Sequence, residues 1–168
     1  NIPYNCCGSF EASLTFNKGM CNALLKNFNI PSAKAIMIHK GAAYDTQAIE
    51  NNIGLPCFVK PNRAGSSLGI SKVTASKQWE RAIKEAFKHD NQVLIEAFID
   101  GIEVTCGLIE KEGELIALPL TEITTENDFF DYEAKYEGKS QEITPARVSD
   151  EIKEHVQSIS KKIYNTLH

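Results

Sequence analysis

The chain has 168 residues, a formal net charge of −4 and 42% hydrophobic residues, values close to the average of soluble globular proteins. Because it is mildly acidic and has no block of lysine and arginine, we expect it to have no nucleic acid partner. No apolar run approaches the roughly 20 residues that span a bilayer, and the first residues lack the features of a signal peptide, so no membrane partner is expected. Five cysteines without a C-x-x-C pair predict structural thiols in a reducing compartment such as the cytoplasm.

The first predicted elements are helical. Apolar residues recur near a period of 3.6 over residues 9–28, which predicts one helix or two, with Ser9 and Asn17 as N-caps. Gly19 costs about 1 kcal/mol relative to alanine in a helix interior, so we expect a break near it. Pro31 disfavours the helical conformation of the residue before it and ends the segment.

Short strands and a loop of small residues follow. Residues 35–39 and 56–61 have the apolar character of strands, and a weak helix is predicted between them at residues 45–52. The loop at residues 62–69 reads Asn-Arg-Ala-Gly-Ser-Ser-Leu-Gly and is typical of a turn. Residues 70–73 are predicted to return as a strand, which makes this loop the connection of a hairpin.

The clearest helix follows the hairpin, with Ser76 as its expected N-cap. Its apolar residues fall at i, i+3, i+4, i+7 and i+8 and form one stripe: Trp79, Ala82, Ile83, Ala86 and Phe87. Three strands are predicted next, at residues 93–99, 102–108 and 115–118. A last amphipathic helix begins after its cap Ser149, and the order of elements indicates an α+β fold with antiparallel hairpins.

Residues 121–145 lack clear periodicity, and long segments of this kind in compact domains are often lids or binding loops. They mix acidic residues and lysine with four aromatic residues: Phe129, Phe130, Tyr132 and Tyr136. A lid excludes water and brings a cation to a transferring phosphoryl group. The alternative is a surface loop pinned by its aromatic side chains.

Two segments have the residues expected of a nucleotide site. Glycines let backbone N–H groups approach phosphates and serines donate hydrogen bonds, so the loop at residues 62–69 has the composition to cover phosphates beside Lys60. An ordinary solvated hairpin explains the same loop equally well. The segment at residues 94–103 offers backbone groups for a base and carboxylates for a ribose, but for Glu96 or Glu103 taken singly a solvated strand face is favoured.

Together these segments resemble the D-alanine–D-alanine ligase family of ATP-grasp carboxylate–amine ligases, over essentially the whole chain. The lid segment is the most specific, because it matches this family and not ATP-grasp enzymes in general. Ala64 departs from the family pattern, which usually has glutamate at that position. The matching stretches are Ile2-Pro3-Tyr4, Asn17-Lys18, Gly54-Leu55-Pro56, Phe58-Val59-Lys60-Pro61, Gly65-Ser66-Ser67-Leu68-Gly69, Val93-Leu94-Ile95-Glu96, Gly101-Ile102-Glu103-Val104-Thr105 and Phe130-Asp131-Tyr132-Glu133-Ala134-Lys135-Tyr136.

The resemblance implies an ATP site and assigns residues to it. The two lysines contact the phosphates, the glycine and serines cover them, the strand residues line the adenine pocket through their backbone, and the last glutamate holds the ribose. In that order, the expected residues are Lys18, Lys60, Gly65, Ser66, Ser67, Glu96, Ala97, Ile99 and Glu103. The expected catalytic residues are Ser66, Lys135 and Tyr136, with Lys135 reaching the γ-phosphate from the lid and the other two bonding near the substrate.

The resemblance also implies an ATP-grasp fold of antiparallel sheets with packed helices, truncated at both ends. Residues 1–20 are expected to be a linker and helix after an N-terminal domain, residues 21–99 the central subdomain, and residues 100–168 the first part of the C-terminal subdomain. The lid is expected at about residues 121–145. No metal ligand is expected in the chain, because the Mg²⁺ ligands of the family follow it, and this stretch alone is expected to be inactive.

The implied reaction is the ATP-dependent joining of two D-alanine molecules through an acyl phosphate, for peptidoglycan and hence for cell wall biogenesis and cell shape. A cytoplasmic homodimer using ATP and Mg²⁺ is expected. One alternative is the same scaffold with another acceptor, as in D-alanine–D-lactate ligation or another ATP-grasp carboxylate–amine ligase. The other alternative is a nucleotide-binding fragment without catalysis.

Overall fold

The computed structural model describes residues 6–125 and 140–167 and divides into two compact units, Asn1–Ile99 and Asp100–His168. Within the described ranges, no helix is both long and apolar enough to cross a membrane. Both units combine helices with an antiparallel sheet. The predicted α+β class is confirmed.

The first unit contains a four-stranded sheet and four helices. Its sheet has the order β1-β4-β2-β3, and every neighbouring pair is antiparallel. The helices are α1 (Ser9–Phe16), α2 (Lys18–Asn27), α3 (Thr46–Ile53) and α4 (Trp79–Ala86), and the strands are β1 (Ala35–His39), β2 (Cys57–Pro61), β3 (Ser71–Val73) and β4 (Gln92–Ala97).

The core of this unit lies on one face of the sheet, under α3 and α4. Alternate residues of β2 point into it, since Cys57 and Val59 are fully buried while Phe58 and Lys60 are only partly buried. The predicted stripe of α4 packs there, with Trp79 donating from Nε1 to Glu50 Oε2 at 2.8 Å. Burial, helped by the charge of Glu50, raises the pKa of the Cys57 thiol to about 11. This thiol therefore stays protonated, as a structural cysteine should.

The helix boundaries confirm the predicted break near Gly19 and the predicted Asn17 cap, and correct the predicted cap of α1. The break between α1 and α2 falls at Asn17, whose side chain caps α2 by accepting from Met20 N, and Gly19 lies inside α2. A Cβ at Gly19 would lie 2.0 Å from Met37 Cε and 3.3 Å from Asn62 Oδ1, so glycine serves close packing there and not a break. Gly8, not Ser9, is the N-cap of α1.

Ser76 does not cap α4, because a 3₁₀ turn at Ser76–Gln78 precedes that helix. The turn is held by the Gln78 side chain, whose Oε1 accepts from Thr74 N at 2.6 Å and from Ala75 N at 3.0 Å. No side chain caps α4, because its N-cap residue, Gln78, directs its side chain to the N–H groups that precede the turn.

In its described residues, 100–125 and 140–167, the second unit contains the three-stranded sheet β5-β6-β7 and one long helix. Its elements are β5 (Glu103–Lys111), β6 (Glu114–Thr125), β7 (Ser140–Ile143) and α5 (Asp150–Leu167). The predicted cap of α5 is confirmed, since Ser149 Oγ accepts from Ile152 N at 3.3 Å. The loop predicted over residues 121–145 is strand at both ends, where β6 and β7 pair. Its middle, residues 126–139, lies outside the described residues.

A buried carboxylate fastens β6 to the segment that leads into α5. Glu122 is 5% exposed, and its Oε2 accepts from Arg147 N at 3.1 Å and Arg147 Nε at 2.9 Å, while Oε1 accepts from Nη2 at 2.6 Å. The Thr121 and Thr144 hydroxyls lie 2.6 Å apart beside this pair. Hydrogen bonds from the Arg147 side chain, and then from its backbone, lower the pKa of Glu122 from an ordinary 4.5 to about 2.

This pair predicts an acid-dependent stability. Because the pKa of Glu122 is depressed in the folded state, its contribution is present above about pH 4.5 and is lost as the pH falls towards about 2. The free energy of unfolding of the native protein should exceed that of Glu122→Gln at neutral pH, and the difference should shrink below pH 4.5. Denaturant titrations across this range measure it, with the exposed Glu142→Gln on β7 as the matched control. A difference between native and Glu122→Gln protein that does not change with pH would contradict the prediction.

Candidate functional site

The candidate site lies in the first unit, on the sheet face opposite the core. Lys60 points to this face from β2, and its side chain is 18% exposed. Its ammonium forms an ion pair with Glu96 of β4, whose side chain is 12% exposed. Glu96 Oε1 also accepts from Asn22 Nδ2 of α2 at 2.9 Å. The arrangement therefore combines a lysine, a carboxylate and an amide in a largely dry place.

The loop after Lys60 has an unusual backbone. Ser66 and Ser67 adopt φ values of 52° and 57°, in the left-handed region that side-chain-bearing residues seldom occupy. A turn closes around them through the hydrogen bond from Leu68 N to Gly65 O at 3.0 Å. Such strained conformations persist where the surroundings enforce them and cluster at ligand sites.

Gly69 completes the loop and is required there for two reasons. Its φ of +71° is in the left-handed region, and a Cβ would lie only 2.4 Å from His89 Cδ2. A side chain at this position would be both strained and obstructed. The end of the loop is therefore fixed by packing, whereas its start is fixed by the contacts of Asn62, Lys18 and Arg63.

Asn62 ties the start of the loop to two other elements. It is completely buried, and its Nδ2 donates to Asn17 Oδ1 at 2.8 Å and to Gln92 Oε1 at 2.9 Å. Its Oδ1 accepts from Gly19 N at 2.8 Å. One side chain thus joins the end of β2, the beginning of α2 and the beginning of β4.

Lys18 lies over the same junction. Its Nζ donates to the carbonyl oxygens of Pro61, Asn62 and Ala64, at 3.4, 3.3 and 2.7 Å. These bonds place the ammonium at the start of the loop.

Arg63 is the third anchor of the loop. Its backbone N donates to Asp90 Oδ2 at 2.8 Å, and its guanidinium donates to both carboxylate oxygens, at 3.1 and 2.8 Å. Burial alone would raise the pKa of Asp90, but hydrogen bonds from Arg63 and nearby backbone N–H groups lower it. The carboxylate therefore stays ionised and holds the loop at neutral pH.

Aromatic side chains lie on the same face as Lys60. The rings of Phe58 and Phe98 are 6.0 Å apart at an interplanar angle of 46°, and Lys72 Nζ lies 4.7 Å from the centre of the Phe98 ring. Flat apolar surface beside cations suits a heteroaromatic ring that is attached to negatively charged groups. The sequence signal for Phe58 is its alternation with buried Cys57 and Val59, which puts it on the face of Lys60.

The structure brings some of the predicted residues together, while the others lie at the end of β4, in the second unit or outside the described residues. Lys18, Lys60, Glu96 and the Gly65–Ser67 turn all belong to the face and loop just described. Ala97 ends β4, where its N donates to Lys34 O at 2.9 Å, and Ile99 beyond it is 69% exposed. Glu103 begins β5 in the second unit. Lys135 and Tyr136 lie outside the described residues.

Two residues of the site were not found from the sequence, Asn22 and Asp90, while Asn62 and Phe98 lay within the predicted segments but had no individual role. Asn22 carries one usable signal, since it follows Lys18 by four positions and so shares its helix face. As for metals, no three His, Cys, Asp or Glu side chains gather as ligands in the part of the chain that the structure describes.

The chain is similar to known ligases over nearly its whole length. It is 50% identical over 166 residues to a D-alanine–D-alanine ligase of Flavobacterium johnsoniae, an alignment that covers 99% of this chain and 51% of that protein. The crystal structure of the VanG D-Ala:D-Ser ligase from Enterococcus faecalis superimposes with a TM-score of 0.82 at 34% identity, covering 96% of this chain and 47% of that one. The D-alanine–D-alanine ligase structure from Bacillus anthracis gives a TM-score of 0.81 at 29% identity, with coverages of 99% and 53%.

The antiparallel sheets and the lysine-bearing strand before a Gly/Ser loop, together with these structural neighbours, define a protein of the ATP-grasp class. More narrowly, the chain belongs to the family described as D-ala D-ala ligase C-terminus, whose family model matches residues 24–168. The chain spans about half the length of the curated relatives it matches. The family resemblance predicted from the sequence is confirmed.

The connections of Asn62 predict a large effect of its removal. In Asn62→Ala, Gly19 N and the side-chain oxygens of Asn17 and Gln92 lose a buried partner, and we expect a loss of about 2–4 kcal/mol in the free energy of unfolding. Denaturant titration measures this loss. Asn91→Ala, an exposed asparagine just before β4, is the control and should stay within about 0.5 kcal/mol of the native protein. Equal stability of both variants would remove Asn62 from its structural role.

The contacts of Lys18 predict a protected peptide bond. Replacing Lys18 by Met removes the bonds to the carbonyls around Arg63, and about 1.5 kcal/mol of local stabilisation corresponds to about tenfold more frequent opening. Trypsin should then cut after Arg63 about ten times faster in Lys18→Met than in the native protein, both without nucleotide. Lys26→Met, at the exposed end of α2, is the matched control. An unchanged cleavage rate after Arg63 would show that Lys18 does not hold the loop.

Proposed function

We propose that the protein to which this chain belongs joins two D-alanine molecules, using ATP, by way of an acyl phosphate. The observation that carries the proposal is the half-buried Lys60 at the base of a loop with two strained serines. The relatives named D-alanine–D-alanine ligase support the choice of reaction. The product would serve peptidoglycan synthesis and, through it, cell shape.

The proposed roles follow from the position of each side chain. Lys60 and Lys18 bind the ATP phosphates, Lys18 after releasing the longer of its carbonyl bonds. The turn containing Gly65, Ser66 and Ser67 covers the same phosphates with backbone N–H groups and hydroxyls. The cations stabilise charge that develops on the transferring phosphoryl group.

The nucleoside half of ATP is proposed to lie along the end of β4. Glu96, Ala97 and Ile99 contribute backbone groups to the adenine pocket, with Phe58 and Phe98 as the apolar surface beside it. Glu103 is proposed to bind the ribose hydroxyls. For the acceptor side, Ser66, Lys135 and Tyr136 are proposed as catalytic residues, with Lys135 on the γ-phosphate.

The remaining expectations are proposals of the same kind. Residues 21–99 are proposed as the central ATP-grasp subdomain and residues 100–168 as the first part of the C-terminal one, with the lid between β6 and β7. Mg²⁺ is proposed to be required, with ligands outside the chain, and its charge would assist the same phosphoryl transfer. A homodimer in the cytoplasm is proposed for the whole protein.

A second acceptor is a specific alternative. The VanG structure, similar to this chain at a TM-score of 0.82, is that of a D-Ala:D-Ser ligase. The protein expressed from its complete gene should therefore be assayed with ATP and either D-alanine alone or D-alanine with D-serine or D-lactate. Mass spectrometry of the product decides between the acceptors, and phosphate release without any dipeptide or depsipeptide would exclude ligation.

The role of Lys60 gives a quantitative test. A charged contact to phosphate contributes about 1.5–3 kcal/mol, so Lys60→Met in the protein expressed from its complete gene should weaken ATP binding by about 10- to 150-fold. Calorimetry measures the affinity. Lys84→Met, on α4 at the opposite face of the sheet, should bind ATP like the native protein. If Lys60→Met binds ATP with unchanged affinity, Lys60 is not part of the nucleotide site.

A further inference from the structure

Lys60 of β2 and Glu96 of β4 are diagonal neighbours on two paired strands. The register pairs Phe58 with Glu96 and Lys60 with Leu94, so Lys60 and Glu96 lie two residues apart on the same sheet face. Diagonal neighbours on one face are within reach of long side chains. The ion pair is therefore set by strand register, and both Cβ positions are fixed by the ladder.

Each oxygen of the Glu96 carboxylate has its own partner. Oε2 meets the Lys60 ammonium and Oε1 accepts from Asn22 Nδ2 at 2.9 Å. The neutral amide fixes the rotation of the carboxylate, and the carboxylate then fixes where the ammonium lies. With 12% and 18% of the two side chains exposed, water is a weak competitor for these bonds.

A lysine held in this way differs from one on a flexible surface. A free lysine side chain loses much rotamer freedom when it binds an anion, whereas in this pair that freedom is already lost. Misplacing a charged group by an ångström is costly in a preorganised site. The placement of the ammonium therefore matters more for phosphate binding than the repulsion from a carboxylate that already has two donors.

We propose that Asn22 and Glu96 are positioning residues for Lys60, acting on phosphate binding through the Asn22–Glu96–Lys60 relay without themselves binding the phosphate. This inference rests on the proposed function, in which Lys60 binds the phosphates of ATP. It assigns to the Glu96 side chain a role separate from the backbone contacts proposed for the same residue. It also assigns a role to Asn22 of α2, a helix from which the proposed nucleotide site otherwise includes only Lys18.

A double-mutant cycle tests the relay in the protein expressed from its complete gene. Asn22→Ala changes no charge and should weaken ATP binding about 3- to 10-fold, the fold-change of one hydrogen bond in a preorganised site. In a Lys60→Met background the same change should have no further effect, because there is no ammonium left to place. The KM for ATP should rise accordingly and the KM for D-alanine should not.

Matched variants separate positioning from general damage. Asn27→Ala, on the exposed end of the same helix, should behave like the native protein, and Asn22→Gln should restore part of the loss because it keeps an amide. Adenosine, which has no phosphate, should bind Asn22→Ala and the native protein equally well. Glu96→Gln, which keeps the side-chain volume, supplies the same cycle with Lys60→Met if Asn22→Ala does not fold.

The outcomes distinguish the inference from the proposal beneath it. Suppose that Lys60→Met weakens ATP binding and that Asn22→Ala weakens it by the same further factor in the Lys60→Met background. The relay is then refuted and the proposed function stands. The same conclusion follows if Asn22→Ala weakens adenosine binding as much as ATP binding. If Lys60→Met leaves ATP binding unchanged, the proposed function of Lys60 fails and the relay fails with it. The relay predicts that Asn22→Ala weakens the binding of ATP but not of adenosine, and that this effect disappears in the Lys60→Met background.

Discussion

The hydrogen bonds of Asn62 are the constraint on which the rest of the candidate site depends. A fully buried amide has two donors and one acceptor to satisfy, and here all three find partners, at the start of α2 and at the start of β4. Because leaving any of them unpaired is costly, the end of β2 has one acceptable position relative to α2 and β4. The positions of Lys60, two residues earlier, and of the loop that follows are fixed by the same bonds.

The fixed position of the end of β2 explains how the loop can keep a strained backbone conformation. Two consecutive serines in the left-handed region raise the free energy of the loop, and the hydrogen bond of the turn does not by itself offset this cost. Lys18 on the carbonyls and Asp90 on Arg63 hold the start of the loop, and Gly69 is packed against His89 at its end. The segment between is short enough that its geometry is dictated by both attachments.

Local patterns predicted the elements, while long-range polar contacts decided what the sequence could not show. The α4 stripe was predicted from helical periodicity, and the strand around Lys60 from its apolar residues. Asn62 gave no signal because its partners are 30 to 45 positions away, and Glu122 interrupted the pattern of β6 because a buried carboxylate is acceptable only with Arg147 beside it. The residues implied by family resemblance, Lys18 and Lys60 among them, were located by motif and not by periodicity.

The packing at Gly19 limits how this sequence can change over evolution. An alanine Cβ at that position would meet the flexible end of Met37 at 2.0 Å and the fixed oxygen of Asn62 at 3.3 Å. Met37 can move or shorten, but Asn62 cannot without breaking its other bonds. Position 19 should therefore covary with position 37, so that related chains carrying alanine at the first have a residue shorter than methionine at the second.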